Sequence, residues 1–144
     1  GLENCQADIV FLCANNVLYH PTHFDFAPPQ KDALYFNQNW WQVRTTDALA
    51  VSWEANQESA LCGYREDLIK HFKKLVAGTE KGTERENSSW KSEYPNVDIK
   101  HEHNIKKYKW NLKDFRNKST AKNFASGQEI PGWGKTADLI KKFN

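Results

Sequence analysis

Polar residues that could do chemistry follow a short apolar run near the start of the chain. Residues 9–12 read IVFL, and Asn15-Asn16 and two histidines come after them. A short apolar run bounded by turn formers is typical of a strand covered on both faces. One helix over 8–19 is the alternative, but adjacent asparagines compete for backbone hydrogen bonds and favour a turn. We expect a strand within residues 8–26 that delivers polar groups to a site.

A second candidate site lies at His101-Glu102-His103, directly after a short predicted strand at 97–99. Two histidines at i and i+2 share one face of a strand, so they could bind a metal ion. A pair alone is a weak signal, and two solvated histidines are the more common outcome. The sequence leaves both interpretations open.

The predicted elements that position these residues combine strands with few helices. Trp41 to Thr45 and the alternating Leu49, Val51 and Trp53 predict a hairpin over 41–53. Acidic residues in the first turn and an apolar stripe at helical spacing predict a helix from Arg65 that ends at Gly78. The remaining predictions are a strand at 33–36, a turn at 37–39, a long surface loop at 78–95, a turn at 130–134 and a closing helix at 136–143.

Length and composition indicate one domain spanning residues 1–144. This length can bury a working core, and 13% aromatic residues with six Trp make disorder a poor explanation. No stretch reaches the ~18 consecutive apolar residues that a membrane helix needs. We therefore expect a soluble protein that does not enter a membrane.

The three cysteines, at positions 5, 13 and 62, form neither an even set nor a C-x-x-C pair. This pattern favours a reducing, cytoplasmic setting, and it contains no readable zinc site. Cys13 and Cys62 lie in apolar stretches, so we expect both to be small buried side chains.

Charge is divided unevenly along the chain. Residues 1–72 contain four Lys/Arg and nine Asp/Glu, whereas residues 73–144 contain sixteen Lys/Arg and nine Asp/Glu. The basic half could bind nucleic acid, with KKYKW at 106–110 supplying phosphate contacts and stacking. Alternation of aromatic residues and lysines there equally fits a half-buried strand with a solvated face.

Seven segments, taken in order, resemble the C-terminal half of GT-A-fold glycosyltransferases of the galactosyltransferase-like or family-2-like kind. They span most of residues 7–136. The resemblance implies an α/β fold, a partial GT-A-like mixed β-sheet flanked by helices, that transfers a sugar from a nucleotide sugar to a glycan-type acceptor. The segments are ADIVFLCANNVLYHPTHFDFAPP, ALYFNQNWWQVR, ESALCGYREDLIKHF, GTEKGT, YPNVDIKHEHN, WNLKDFRN and EIPGWGKT.

Such enzymes usually hold Mn²⁺ or Mg²⁺ with an acidic motif at a strand end, because the cation stabilises the leaving nucleoside diphosphate. The corresponding place here is residues 13–20, where the resemblance implies acids near 14 and at 16. Ala14 and Asn16 stand there instead. Asn16 still offers a carbonyl oxygen, but it lacks the charge of a carboxylate. His101 resembles the histidine that completes the metal site.

The resemblance also implies the catalytic and substrate-binding residues. Glu80, in a Gly-rich loop, resembles the base that deprotonates the acceptor hydroxyl, and an exposed loop carboxylate is the alternative. Aromatic rings match the CH faces of a pyranose, and the core is the alternative place for any of these residues. The substrate-binding positions are Trp40, Trp41, Ser59, Arg65 and Trp133.

Few residues precede Asn16, whereas the family builds its nucleotide-binding part upstream of this motif. The chain is therefore expected to be part of a longer protein, to work with a partner chain that supplies that half, or to have lost catalysis. A non-catalytic binding or interaction protein derived from the fold is one alternative function. A basic nucleic-acid-binding or nuclease-like protein is another.

Overall fold

The computed structural model describes residues 1–54, 56–78, 87–100, 121–126 and 129–142, with the backbone alone described at 53, 87 and 121–126. Within this part the chain is a mixed α/β protein with mixed sheets and few helices. Its helices are α1 (Arg65–Val76) and α2 (Thr136–Ile140). Its strands are β1 (Ile9–Phe11), β2 (Val17–Leu18), β3 (Leu34–Asn37), β4 (Trp40–Arg44), β5 (Leu49–Trp53), β6 (Leu61–Tyr64), β7 (Asn87–Trp90), β8 (Asn96–Lys100), β9 (Ala121–Ser126), β10 (Glu129–Ile130) and β11 (Gly134–Lys135).

The described strands form two larger sheets and one small hairpin. The first sheet has the order β1-β6-β3-β7, and only its β3–β7 pair is parallel. The second sheet has the order β2-β8-β4-β5-β9, and only its β4–β8 pair is parallel. The strands β10 and β11 pair with each other.

Two chain segments run from the first sheet into the second, side by side. One passes from β3 to β4 through Gln38 and Asn39, and the other passes from β7 to β8 through 91–95. Backbone hydrogen bonds continue across the break, from Gln38 N to Trp90 O at 2.9 Å and from Asn96 N to Asn39 O at 3.0 Å. We call this place the crossing.

Asn37 supplies the buried side chain that holds the crossing together. Its Oδ1 accepts hydrogen bonds from the backbone N–H groups of Asn39 and Ser92, at 3.0 and 3.2 Å. Its Nδ2 donates to Ser92 Oγ at 2.8 Å. The Asn37 amide therefore pairs the two backbone N–H groups that the break between the strands would leave without an acceptor. Polar backbone groups inside a protein need such a partner.

Each sheet packs its own apolar core. The first sheet packs against α1, where Leu68 joins Leu34, Phe36 and Leu61. The second sheet packs against α2, where Leu139 joins a larger set: Trp41, Val43, Ala50, Val97, Ile99 and Ile130.

The helix predicted from residue 65 is confirmed as α1. Its first turn carries Glu66 and Asp67 and its last turn carries Lys73 and Lys74, which complements the helix dipole. Gly78 follows it with φ of 66°, the left-handed conformation that commonly ends a helix.

The strands predicted at 33–36 and 97–99, the hairpin at 41–53 and the turns at Asn15-Asn16 and 130–134 are also confirmed. The described part of the closing helix is shorter than predicted, since α2 ends at Ile140 and a turn follows. The predictions on residues 79–86 and 101–120 lie outside the described residues.

Four expectations were wrong. No turn forms at 37–39, because Asn37 ends β3 and the next two residues connect it directly to β4 in the other sheet. The strand at 9–11 is not covered on both faces, because all three of its residues are only half-buried. The supposed loop at 78–95 contains β7, whose NSSW sequence lacks an apolar alternation and pairs with β3 through its backbone. Cys13 is exposed, whereas Cys62 is buried as expected and burial raises its pKa to about 12.

None of the helices in the described ranges is long and apolar enough to cross a bilayer.

Replacing Asn37 with Ala tests the crossing. We expect the free energy of unfolding to fall by about 2–4 kcal/mol, because the buried N–H of Ser92 and the half-buried N–H of Asn39 lose their acceptor. Urea denaturation followed by Trp fluorescence measures the change. Gln38→Ala is the matched control, since the Gln38 side chain donates an exposed hydrogen bond to Asn56. Equal losses in the two variants would contradict the role of Asn37.

Candidate functional site

The turn at Asn15-Asn16 lies directly against the end of β8. Asn16 Nδ2 donates to Asp98 Oδ1 at 2.7 Å, and the backbone N–H of Ile99 donates to Asn16 O at 2.8 Å. The β2–β8 ladder continues this contact by pairing Val17 with Asp98. The structure therefore places the Asn15-Asn16 turn next to β8, the strand that precedes His101 in the sequence.

Asp98 is a buried carboxylate at the centre of a polar cluster. Besides Asn16, its partners are Gln42, whose Nε2 donates to Oδ2 at 2.8 Å, and Lys100, whose Nζ lies 2.6 Å from Oδ2. The side chains of Asp98 and Lys100 are only 5% and 17% exposed. A buried charge requires such pairing, so the carboxylate is stabilised within the protein.

This donor set does not fit a hard divalent cation. Such ions take several oxygen ligands with carboxylate charge, whereas Asn16 is neutral and points its amide nitrogen at Asp98. The Asp98 charge is already paired with Lys100. Gln42 Oε1 is buried and has no hydrogen-bond partner in the part of the chain that the structure describes, but it is also neutral. No group of three or more His, Cys, Asp or Glu in the described ranges could hold a metal.

His23 is fully buried at the crossing, and the network fixes its tautomer. Its Nδ1 lies 2.9 Å from Asn37 Nδ2 and 3.0 Å from Asn96 Nδ2. Both amides are oriented by backbone donors, since Asn37 Oδ1 accepts from Ser92 N and Asn96 Oδ1 accepts from His20 N. Two N–H donors therefore face Nδ1, which must be the acceptor, and the proton is on Nε2.

Aromatic rings enclose the rest of the His23 ring. Trp90 stacks on it at 5.3 Å, and Phe11, Tyr19 and Phe24 lie at 4.9 to 5.2 Å between ring centroids. Nε2 has no hydrogen-bond partner among the described residues. Burial among these rings disfavours the charged form and lowers the pKa of His23 to about 4.

A second histidine, His20, lies in a half-buried aromatic corner with Tyr94 and Trp133. The His20 centroid is 4.6 Å from that of Tyr94 and 5.8 Å from that of Trp133. Trp133 Nε1 donates to Pro95 O at 2.7 Å, which fixes the indole. Of the predicted substrate-binding tryptophans, Trp133 is thus partly accessible to a ligand.

Trp40 and Trp41 are in the core. They are 1% and 8% exposed, and they pack in separate clusters, Trp40 with Val17 and Ala60 and Trp41 with the second-sheet core. Both rings pack against other side chains of the protein. This agrees with the alternative that these tryptophans belong to the core and do not bind a substrate.

Ser59 and Arg65 are not brought together with Trp133 by any described contact. Ser59 O accepts from the Tyr19 hydroxyl at 2.6 Å, and burial raises the pKa of that hydroxyl to about 12. Arg65 Nη1 donates to Cys5 O at 3.1 Å. Arg65 also lines a small cavity of about 190 Å³ at the start of α1, together with Asp8 and Lys31. The predicted base Glu80 and metal ligand His101 lie outside the described residues.

Sequence reasoning missed the partners that make these clusters. Asp98, Gln42 and Lys100 form one, and His20 with Tyr94 forms part of the other. Alternation along β4 and β8 gives a weak signal for the first, because Gln42 and Asp98 are polar residues inside apolar strands. No local signal relates His20 to Tyr94.

The pH dependence of stability tests the buried state of His23. The pKa of His23 is about 4 in the folded protein and ordinarily near 6.5. Between pH 6.5 and pH 4, therefore, the imidazole binds a proton in the unfolded chain but not in the folded one. The free energy of unfolding therefore keeps its full value above pH 6.5. It falls by roughly 3 kcal/mol in total as the pH drops towards 4. Urea titrations across this range measure the loss, and His23→Gln should remove it. Imidazole NMR signals of His23 titrating near 6.5 would contradict this account.

Lys100→Met tests the charge balance around Asp98. We expect the free energy of unfolding to fall by about 2–4 kcal/mol, because a buried carboxylate loses its cation. Adding Asp98→Asn should recover part of this loss. Lys141→Met is the control, because the Lys141–Asp138 pair is 74% and 64% exposed and such pairs add little. A loss no larger than the control's would show that Lys100 does not stabilise Asp98.

No protein-family model matches this chain. No curated protein and no solved structure matches it significantly either. The glycosyltransferase resemblance therefore stays a prediction, and the functional argument depends on the contacts described above.

Proposed function

We propose that this chain is a glycosyltransferase-like domain of the GT-A type, on the acceptor side of the fold, in which sugar transfer is impaired at the metal site. Its ligands would be a nucleotide sugar and a glycan-type acceptor, and a partner chain would supply the nucleotide-binding half. The order of the seven sequence segments supports the family part of the proposal.

The observation that carries it is the contact between the Asn16 turn and the end of β8. The resemblance assigns metal ligands to position 16 and to His101, which are far apart in sequence. Ile99, two residues before His101, donates its N–H to Asn16 O at 2.8 Å. The two strands that should carry the ligands are thus neighbours, as a shared site requires.

The same contact supports the impairment. A carboxylate at position 16 would stand 2.7 Å or so from Asp98, where Asn16 now donates a hydrogen bond. Two carboxylates at that distance must share a proton or hold a cation between them. Asn16 removes this need, and Lys100 supplies the positive charge within the chain. Any residual transfer would depend on Glu80 removing the acceptor hydroxyl proton, with no step assigned to a metal.

Restoring the acid tests the proposal. We expect no Mn²⁺-dependent hydrolysis of UDP-galactose, UDP-glucose or UDP-N-acetylglucosamine by the natural sequence. Asn16→Asp should bind Mn²⁺, seen as loss of the free Mn²⁺ signal in electron paramagnetic resonance, and should hydrolyse at least one of these donors. Glu80→Gln in the Asn16→Asp background should keep Mn²⁺ binding and lose hydrolysis.

Asn16→Ala is the matched control, because it removes the amide without adding charge. If Asn16→Asp binds no Mn²⁺ more tightly than Asn16→Ala does, the proposed metal-site ancestry is wrong. Salt-sensitive oligonucleotide binding by the natural sequence, with no response to any nucleotide sugar, would instead favour the nucleic-acid alternative.

A further inference from the structure

Strand β1 forms one edge of the first sheet, and β6 is its only neighbour among the described strands. Two backbone hydrogen bonds of 2.8 Å lie at the two ends of this antiparallel pair. At one end Leu12 N donates to Leu61 O, and at the other end Arg65 N donates to Asp8 O. Asp8 and Leu12 therefore direct their backbone hydrogen-bonding groups towards β6.

The backbone groups of Ile9 and Phe11 point to the other side of β1. Successive residues of an antiparallel strand direct their N–H and C=O groups to opposite neighbours, so these two residues alternate with Asp8 and Leu12. No hydrogen bond between described residues uses the groups on this side, and both side chains are only half-buried. The edge can therefore pair with a further strand.

The sequence of this edge does nothing to discourage such pairing. Natural edge strands are commonly protected by lysines, by prolines or by a bulge. The run IVFL at 9–12 contains neither lysine nor proline. Its register with β6 is regular from Ile9 to Phe11, without a bulge. The edge is apolar, uncharged and straight, which favours the addition of a strand.

Side chains on both faces of β1 hold the strand in place. Val10 and Leu12 pack against the apolar core of the first sheet. On the opposite face the ring of Phe11 lies 5.2 Å from that of His23 and 5.3 Å from that of Phe24. Phe24 is 48% exposed, so apolar surface continues from the edge onto this face. A strand added here would extend an ordered sheet, and little ordering cost would oppose it.

We propose that β1 pairs in antiparallel fashion with β1 of a second copy of this chain, about a two-fold axis at Val10. In this register Ile9 of each copy faces Phe11 of the other. Both residues direct their N–H and C=O groups to the open side, so each pair exchanges N–H···O=C hydrogen bonds in both directions. The edge is therefore complementary to itself, as a two-fold interface requires.

Charge and side-chain packing favour the same register. Asp8 faces Leu12 of the other copy, so the two Asp8 carboxylates lie at opposite ends of the paired strands and do not repel each other. Ile9 and Phe11 meet on the face that carries His23, and a β-branched residue beside an aromatic one stabilises paired strands. This inference does not depend on the proposed function.

Sedimentation equilibrium of the full chain in reducing buffer tests the pairing. We expect a dimer with a dissociation constant between ~10 µM and ~1 mM, because a short strand pair buries little surface. Ile9→Pro should weaken the dimer at least ~10-fold, because proline lacks the N–H that donates to Phe11 O of the other copy. That N–H does not bond to β6, so proline at this first strand residue leaves the β6 pairing intact.

Ile9→Val is the matched control for the proline variant. It keeps the backbone N–H and a β-branched side chain, so it should form the dimer as the natural sequence does. Far-UV circular dichroism verifies that both variants are folded.

Disulfide cross-linking tests the register without a proline. In a background of Cys5→Ser and Cys13→Ser, Val10→Cys places one thiol of each copy at the axis. Facing Cα atoms that are not hydrogen-bonded to each other lie ~4.5 Å apart in an antiparallel pair, within the range of a disulfide. Leu12→Cys is the matched control on the same face of β1, because its two copies would be more than ~10 Å apart. Oxidation with diamide should cross-link Val10→Cys at least ~10-fold faster than Leu12→Cys.

A chain that stays monomeric at ~1 mM would overturn the proposal, since even a weak dimer would form at that concentration. Equal cross-linking of Val10→Cys and Leu12→Cys would overturn it too, as would a folded Ile9→Pro variant that forms the dimer as well as Ile9→Val does. None of these results affects the proposed function, which the Asn16→Asp experiment tests separately.

Discussion

The crossing between the two sheets is the constraint on which the rest of the structure depends. Two strands leave one sheet and enter another side by side, so backbone groups at the break lose their ladder partners in a buried place. Asn37 satisfies the N–H groups of Asn39 and Ser92 with one side-chain oxygen. Buried polar backbone groups must be hydrogen-bonded. Because Asn37 supplies the missing acceptor, the chain can pass from one sheet to the other without leaving these N–H groups unpaired.

Both histidines of the opening stretch are organised by this crossing, in opposite ways. His23 lies inside it, neutral, with Nδ1 held by Asn37 and Asn96. His20 lies at its rim, where Asn96 accepts from its backbone N–H and Thr22 fixes its tautomer. Asn96 therefore contacts both residues, through the imidazole of His23 and through the backbone N–H of His20.

The sequence alone was informative wherever local chemistry determines conformation. The apolar stripe and terminal charges of α1, the hairpin of β4 and β5 and the Asn15-Asn16 turn were all predicted. Three local effects explain this: charges that complement the helix dipole, alternation of side chains along a strand, and asparagine side chains that compete for backbone hydrogen bonds. Each acts over a few residues, so it can be recognised in a single sequence. It also indicated that polar groups follow β1 and that Trp133 stands in a rigid turn.

What the sequence could not decide was pairing across long separations. The parallel partner of β3 is NSSW, which has no strand pattern, and its place depends on backbone hydrogen bonds that β3 offers. Trp40 and Trp41 were candidates for a ligand surface until packing placed them in the core. Asn16 and Asp98 meet across 82 residues, and His20 meets Tyr94 across the segment that contains β3 to β7 and α1. Sequence determined the local elements, whereas only tertiary structure decided which charges are paired and which aromatic rings are buried, because burial and distance belong to the folded chain as a whole.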